Sequence, residues 1–269
     1  MIELADSEFH EISTYIRNHY GVNLEKKRVL IEGRLGFYIS TKGFKNYKEY
    51  FQFVLNEPSK QELANMINRL TTNHTFFMRE EDHFVFYINT VLPWIENDLK
   101  TKDLRVWSAG CSTGQEPYTI AMSNLDYVRN KTGSWDVTVL ASDISNRALT
   151  TAKSGIYNTE DISEVPNEWI DNYFNKVDDE QFQISKELRT AVAFRNINLL
   201  NEFNFKKSFH TIFCRNVMIY FDIPTKARLI KKFHRVMEPG AYLFLGHSES
   251  LSTLDHEFTY VKPSVYRKV

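Results

Sequence analysis

The chain has 269 residues, 42% of them hydrophobic and 14% aromatic, which is enough to bury one large core or two modest ones and excludes wholesale disorder. Its 33 Lys and Arg against 34 Asp and Glu give a net charge of −1, which argues against a dedicated nucleic-acid binder. Cys111 and Cys214 lack metal-type spacing and fit a reducing compartment. No apolar run approaches the roughly 18 residues of a membrane span, and the acidic N-terminus lacks a signal-peptide pattern. We therefore expect a cytoplasmic protein with no membrane insertion.

Residues 1–98 carry apolar side chains at spacings of three and four, the period of amphipathic helices. Three such stripes run over residues 9–20, 47–55 and 63–70. A further helix is predicted at about 79–89, and Pro93 falls in or near the linker that follows. The pattern predicts a helical N-terminal domain over 1–85, followed by a linker over 86–100.

From residue 101 to 269, short apolar runs alternate with longer helical stretches. Strands are predicted at 104–109, 137–142, 192–198, 211–214 and 242–246, and helices at 118–129, 147–153 and 225–236. Such alternation is typical of parallel strands joined by crossover helices. Residues 258–262 and 265–268 predict a closing hairpin across a Pro-Ser turn, and residues 160–190 predict a small insertion.

A turn of small residues separates the first predicted strand from the next helix, in "RVWSAGCSTGQEP" at 105–117. Gly110 and Gly114 permit close backbone approach, and a helix opening at Pro117 offers free N–H groups. The spacing matches neither the dinucleotide fingerprint nor a P-loop. The turn therefore indicates a nucleotide or cofactor site in outline, or else a tight strand–helix turn with no ligand.

Two carboxylates narrow the choice of ligand. Glu116, at the helix start, suits an ammonium group better than a phosphate. Asp143 ends the second strand 27 residues later, where a carboxylate can accept both hydroxyls of a ribose. Asp143 also fits a helix N-cap. Together the turn and the two acids predict a ligand with an amino-acid end and a nucleoside end, such as S-adenosylmethionine.

The sequence resembles the chemotaxis receptor methyltransferases, the CheR-type protein-glutamate O-methyltransferases, over nearly the whole chain. The matching motifs are "LTTNHTFFMRE" at 70–80, "RVWSAGCSTGQEPYTIA" at 105–121, "ASDIS" at 141–145, "SGIY" at 154–157, "NINLL" at 196–200, "IFCRNVMIYFD" at 212–222 and "GHSES" at 246–250. The resemblance implies an α/β fold: a class I S-adenosylmethionine-dependent methyltransferase (Rossmann-like) domain with a small antiparallel β insertion, preceded by an all-helical N-terminal domain.

The resemblance also implies which residues contact the cofactor. They are Asn73, Thr75, Arg79, Glu116, Asp143, Asn198, Leu199, Arg215 and Asn216, and the turn of small residues adds Gly110. Glu116 would hold the methionine ammonium and Asp143 the ribose, while Asn198 and Leu199 would lie beside the adenine. On the residues alone, Asn198 could equally end a strand.

Arg79 and Tyr220 are the candidate catalytic residues, and the resemblance implies that Tyr220 faces the reacting methyl. A glutamate acceptor has an ordinary pKa of about 4.3, is ionised at neutral pH and needs no general base. Positioning should then supply much of the catalysis, and alignment alone can contribute roughly 7–11 kcal/mol. We assign Arg79 to orienting the acceptor through its forked guanidinium. The alternatives are a salt bridge of Arg79 to a neighbouring acid (Glu80, Glu81 or Asp82) and a core position for Tyr220.

Metal binding is not expected. His74, His83, His247 and His256 do not form a ligand set at helical spacing.

Residues 26–48 carry seven cations and one acid, a local charge of +6. Such a patch could meet an acidic protein or nucleic acid, or be a solvated helix face. The resemblance favours the methylated helices of a receptor, with docking by Lys26, Lys27, Arg28 and Arg34. Some members of the family also bind a receptor's C-terminal peptide through a glycine-containing loop. This chain has no glycine between Gly155 and Gly240, so we expect no such tether.

The leading hypothesis is a monomeric enzyme that methylates glutamates on the cytoplasmic helices of chemoreceptors, without binding nucleic acid. One alternative is a methyltransferase that acts on RNA or on another protein. Another is a cofactor-binding scaffold of a sensory complex, although Arg79, Glu116, Asp143 and Tyr220 are all present.

Overall fold

The computed structural model describes residues 2–269. The helices are α1 (Asp6–Tyr20), α2 (Arg28–Thr41), α3 (Tyr47–Asn56), α4 (Gln61–Leu70), α5 (Glu81–Phe86), α6 (Leu92–Asn97), α7 (Gln115–Val128), α8 (Asn146–Ser154), α9 (Asn167–Tyr173), α10 (Lys186–Thr190) and α11 (Ile223–Arg235). The strands are β1 (Val106–Ala109), β2 (Val139–Asp143), β3 (Ile156–Asn158), β4 (Phe174–Lys176), β5 (Gln181–Ile184), β6 (Val192–Asn196), β7 (Phe209–Cys214), β8 (Met237–Leu245), β9 (Phe258–Lys262) and β10 (Val265–Lys268). Within residues 2–269, no helix is both long and apolar enough to cross a bilayer.

Helices α1–α4 surround a hydrophobic core of their own, which confirms the three predicted stripes. Buried side chains on the inner faces include Ile12, Ile31, Leu35, Tyr50 and Met66. Asn46 caps α3 by accepting a hydrogen bond from the Glu49 N–H at 2.8 Å, a typical N-terminal cap.

A seven-stranded sheet in the order β6-β2-β1-β7-β8-β10-β9 forms the centre of the larger domain. The pairs from β6 to β8 are parallel, and β10 runs antiparallel to both β8 and β9. The predicted parallel sheet with a closing hairpin is therefore confirmed. Because the parallel strands all end at one edge, the loops after β1, β2, β6 and β7 meet there.

The segment expected to be a linker, 86–100, is mostly helical. A π-helical turn, Tyr87–Val91, joins α5 to α6, and Pro93 lies in the first turn of α6. The helix continues through Pro93, and the wider π turn just before it accommodates the hydrogen bond that the missing proline N–H cannot make. The small core ends at Leu70 and the large one begins at Phe77, ahead of the expected boundary at residue 85.

The predicted insertion contains a three-stranded antiparallel sheet in the order β3-β5-β4, with α9 between its strands in the chain. The small sheet begins at Ile156, a few residues before the expected start at 160. The Tyr157 hydroxyl donates to the Thr113 carbonyl at 2.7 Å. The inserted sheet therefore supports the turn after β1 from the side.

Candidate active site

A cavity of about 330 Å³ opens at the carboxyl ends of the parallel strands, and the N-terminal domain supplies part of its wall through Tyr20 and Val22. All ten residues expected to contact the cofactor line it, as does Tyr220. Residues far apart in the sequence thus meet in one cavity. The four residues expected to dock the substrate, Lys26, Lys27, Arg28 and Arg34, do not line it.

The turn after β1 closes against other segments of the protein. Gly110 and Gly114 have φ angles of +96° and +101°, which favour glycine. A Cβ on Gly110 would collide with Val217, and one on Gly114 would lie 2.8 Å from the Tyr157 hydroxyl and 2.9 Å from the Ala152 Cβ. The glycines are therefore required for the close packing of protein around the cavity.

Asp143 lies at the end of β2 and is held by two backbone N–H groups. Ser112 donates to one carboxylate oxygen and Ser145 to the other, both at 2.8 Å. Burial raises the pKa of Asp143, and these two bonds oppose the rise. The side-chain cap of α8 is Ser145, which accepts from the Ala148 N–H at 3.1 Å. A carboxylate oxygen can accept more than one hydrogen bond, so Asp143 could also accept hydroxyl groups of a ligand.

Glu116 lies at the start of α7. The Ser108 hydroxyl donates to Oε1 at 2.6 Å, and Arg215 Nη1 lies 3.3 Å from Oε2. Burial raises the pKa of Glu116, while Arg215 and the Ser108 hydroxyl act in the opposite direction. A largely buried carboxylate whose charge is only partly compensated is a suitable acceptor for an ammonium group.

Arg215 is only 5% exposed, and its guanidinium is shared between two acids. Its Nε and Nη2 each lie 3.2 Å from Glu80 Oε2, and Nη2 also donates to the Arg79 carbonyl. The second Glu80 oxygen accepts from the Asn216 amide at 3.3 Å and the His247 N–H at 3.1 Å. Glu80 therefore connects three segments around the cavity.

Arg79 makes few contacts with the protein. Its Nη1 donates to the His74 carbonyl at 2.9 Å, and the guanidinium lies 5.7 Å from the Phe76 ring centre. No carboxylate of residues 2–269 forms an ion pair with it: the neighbouring Glu80 pairs with Arg215. The structure therefore does not contain the salt bridge that the sequence left open for Arg79, and the residue lines the cavity.

The residues expected beside the adenine and the methyl group form part of the seam between the domains. The Asn198 amide donates to the His19 carbonyl at 2.8 Å, and its oxygen accepts from the Leu200 N–H at 2.9 Å. This local bond ends the extended run at Asn196, two residues before the expected end of the strand. Tyr220 is half-buried at the cavity, and its carbonyl accepts from the Asn23 N–H at 2.7 Å.

Glu249 has a supporting role that the sequence did not indicate. Its carboxylate accepts backbone N–H bonds from Gly246 at 2.7 Å, Asn216 at 2.8 Å and Ile219 at 3.0 Å. It therefore fixes the loop that carries Asn216 and Tyr220. Its motif, "GHSES", was visible in the sequence, but two of its three partners, Asn216 and Ile219, lie about 30 residues away.

Two of the four expected docking residues are used inside the N-terminal domain. Arg28 bonds the Leu4 carbonyl and Asp6, and Arg34 donates to the Thr71 carbonyl at 2.7 Å. Lys26 and Lys27 are exposed. The sequence pattern could not distinguish the two exposed lysines from the two bonded arginines, because the hydrogen-bond partners of both arginines are distant along the chain.

Glu80, His83 and His247 have the ligand types of a metal site and lie within 4.8 Å of one another. The Glu80 oxygens, however, already accept from Arg215, Asn216 and the His247 N–H. Burial and the Arg215 charge lower the pKa of His83 to about 4. The cluster is therefore better described as the ionic support of Arg215.

The strand order, with a cavity at the carboxyl ends of the parallel strands, is that of an S-adenosylmethionine-dependent methyltransferase. Residues 73–267 match the family model of the CheR methyltransferase S-adenosylmethionine-binding domain, and residues 7–71 match that of the CheR all-alpha domain. The chain belongs to the CheR methyltransferase family.

Curated relatives match over nearly the full length. A chemotaxis protein methyltransferase of Borreliella burgdorferi is 39% identical, covering 99% of this chain and 96% of the relative. One of Escherichia coli is 34% identical over 98% of this chain and 92% of its own length. Chemotaxis protein methyltransferase 2 of Vibrio cholerae is 32% identical, with 96% and 90% covered. The chain is thus an S-adenosylmethionine-dependent methyltransferase of chemotaxis.

Proposed function

We propose that this protein transfers the methyl group of S-adenosylmethionine to glutamate side chains on the cytoplasmic helices of chemoreceptors, forming methyl esters. The observation that carries the proposal is the shared cavity: Arg79, with unpaired donors, and Tyr220 line it together with Glu116 and Asp143. The name shared by the relatives, chemotaxis protein methyltransferase, supports the choice of a chemotaxis substrate.

S-adenosylmethionine supplies a sulfonium methyl. Glu116 receives the methionine ammonium, Asp143 the ribose hydroxyls, and Asn198 and Leu199 flank the adenine. The fit rests on the burial of both acids, which favours ligands that bring hydrogen-bond donors. The contacts proposed for Asn73, Thr75, Gly110, Arg215 and Asn216 follow from their positions in the wall of the same cavity.

Arg79 orients the acceptor glutamate, which is ionised and needs no base. A carboxylate oxygen forms the new bond to the methyl carbon while the carbon–sulfur bond breaks, and no proton moves. Opposite charges partly cancel in this step, so a site sheltered from water favours it. Tyr220 bounds the cavity at the seam and excludes water from the reacting atoms.

The exposed face of α2 is a candidate docking surface for the receptor helix. Val29 is 80% exposed and Phe37 75%, and Gly33 lies between them with no heavy atom within 4 Å of an added Cβ. The three recur at a spacing of four and form one stripe. Lys26 and Lys27 precede this stripe. Their charges attract an acidic receptor helix at long range, and the apolar stripe then contacts it.

We propose that docking needs no receptor tail. The turn between β4 and β5, residues 177–180, contains no glycine, which is the basis for expecting no peptide tether. We further propose that the protein acts in the cytoplasm as a monomer, and the near-zero net charge supports a protein substrate over nucleic acid.

The test is incubation with labelled S-adenosylmethionine and soluble receptor signalling fragments. We expect label in the fragment as a base-labile ester, and its loss when the acceptor glutamates are changed to alanine. A base-stable methyl group, or label in RNA, would assign another substrate. Cofactor binding without any transfer would favour a regulatory scaffold.

A further inference from the structure

Glu80 and Glu116 compete for one buried cation. The Arg215 side chain is 2% exposed and lies between them, at 3.2 Å from Glu80 and 3.3 Å from Glu116. Two of its nitrogens contact Glu80 and one contacts Glu116. One guanidinium and two carboxylates leave this group with a single negative charge. Because Arg215 makes more contacts with Glu80 than with Glu116, it neutralises mainly Glu80, and the remaining negative charge lies mainly on Glu116.

The structure fixes Glu80 firmly in this position. Its backbone adopts φ +57°, in the left-handed region that non-glycine residues seldom occupy. Asn216, one of its donors, also has φ +57°. Burial acts to raise the pKa of Glu80, but Arg215, the His247 N–H and the Asn216 amide outweigh it and lower the pKa. Glu80 is thus a charged counter-ion to Arg215 at neutral pH. Such unfavourable backbone angles persist where the surrounding structure holds a residue in place for a purpose.

From this arrangement we infer that Glu80 is a positioning residue for cofactor binding: by holding Arg215, it keeps Glu116 free to pair with the ammonium group of S-adenosylmethionine. The inference rests on the proposed assignment of that ammonium to Glu116. Without the Glu80 charge, Arg215 turns fully to Glu116, and the cofactor has to compete with a guanidinium that is already in place.

The measurable consequence is selectivity for the amino group. Calorimetry with S-adenosylhomocysteine and with its deamino analogue gives the ratio of two dissociation constants for each variant. Glu80→Gln should weaken S-adenosylhomocysteine binding on the order of tenfold, as expected for one unit charge nearby in a partly screened site. Binding of the deamino analogue should not change, so the ratio falls toward one. In steady-state kinetics, KM for S-adenosylmethionine should rise in Glu80→Gln in parallel with the weaker binding of S-adenosylhomocysteine.

Three further variants isolate the effect. Glu81→Gln changes the adjacent, exposed carboxylate and should leave both ligands unaffected. Glu80→Asp keeps the charge and should retain most of the amino selectivity. Glu80→Gln combined with Arg215→Gln removes the pair together and should restore selectivity relative to Glu80→Gln alone, a result that loss of structure would not produce.

Glu116→Gln serves as the reference. If it keeps the wild-type ratio, the ammonium does not bind Glu116, and the proposed cofactor assignment fails. If the ratio of the two dissociation constants falls to near one in Glu116→Gln but stays at the wild-type value in a folded Glu80→Gln protein, only the inference about Glu80 is overturned. Should Glu80→Gln fail to fold, the double variant decides: a wild-type ratio supports the inference, and a ratio near one overturns it.

Discussion

The backbone N–H of Ser112 donates to the Asp143 carboxylate at 2.8 Å, so a residue of the turn after β1 contacts the last residue of β2. The Ser112 hydroxyl in turn donates to the Asn73 carbonyl at 2.9 Å. Asp143 therefore organises the cavity wall while it presents lone pairs to a ligand.

Replacing Asp143 with alanine should weaken S-adenosylmethionine binding by about 1–3 kcal/mol, the range for leaving buried hydrogen-bond partners unpaired. Isothermal calorimetry measures the loss, and a thermal melt separates it from unfolding. Asp179→Ala, an exposed residue of the β4–β5 turn, is the matched control. Unchanged affinity in a folded Asp143→Ala protein would remove Asp143 from the site.

Cofactor affinity should fall as the solution becomes acidic. Burial raises the pKa of Glu116 above its ordinary 4.5, and the ammonium needs the ionised form. Binding the ammonium lowers the pKa of Glu116. At pH values near or below the raised pKa, part of Glu116 carries a proton in the free protein, and binding the cofactor releases that proton. Asp143 shifts in the same direction. Calorimetry in buffers of different ionisation enthalpy should detect the release, and Glu116→Gln should flatten the profile.

Arg79→Lys keeps the positive charge but loses the forked geometry. We expect a large loss of turnover with folding intact, since orientation of the acceptor is the role assigned to it. Steady-state kinetics with a receptor fragment and a thermal melt test this together. Arg147→Lys, an exposed position on α8, should be neutral. Near-normal turnover with lowered stability would return Arg79 to a structural role.

Lys26→Glu with Lys27→Glu should raise the KM for receptor and leave cofactor binding unchanged. The attraction is long-range and is screened over about 8–10 Å at physiological salt, so the effect should shrink as salt is added. Lys153→Glu with Lys206→Glu makes the same change in net charge at exposed sites elsewhere. An unaltered receptor KM in the first pair would identify residues 26–48 as a solvated surface.

Deleting the last few residues of a receptor should change its methylation rate little, because no tail peptide is expected to contribute affinity. The rate comparison uses intact and shortened receptor fragments at concentrations below KM. A strong dependence on the tail would show that the β4–β5 turn binds it without glycine.

The sequence predicted the sheet for a physical reason, whereas the cofactor contacts at 73–79, 198–199 and 215–216 were implied by the resemblance alone. Period-two and period-3.6 patterns identify strands and helices, and parallel strands bring their carboxyl ends together. It misjudged segments whose structure depends on distant partners. Pro93 was expected in or near a linker but lies in the first turn of α6, and Arg34 was expected to dock the substrate although it bonds the Thr71 carbonyl. Glu80 and Glu249 bond partners tens of residues away or more, which no local pattern encodes.

The seam between the domains has a consequence for engineering. Asn198 bonds the His19 carbonyl and Tyr220 bonds the Asn23 N–H, so the helical domain completes the wall of the cofactor cavity. A chimera that exchanges this domain to redirect the enzyme to another receptor would also replace part of that wall. Graft boundaries should therefore spare residues 19–23, and a catalytic half expressed without them would start with an open cofactor site.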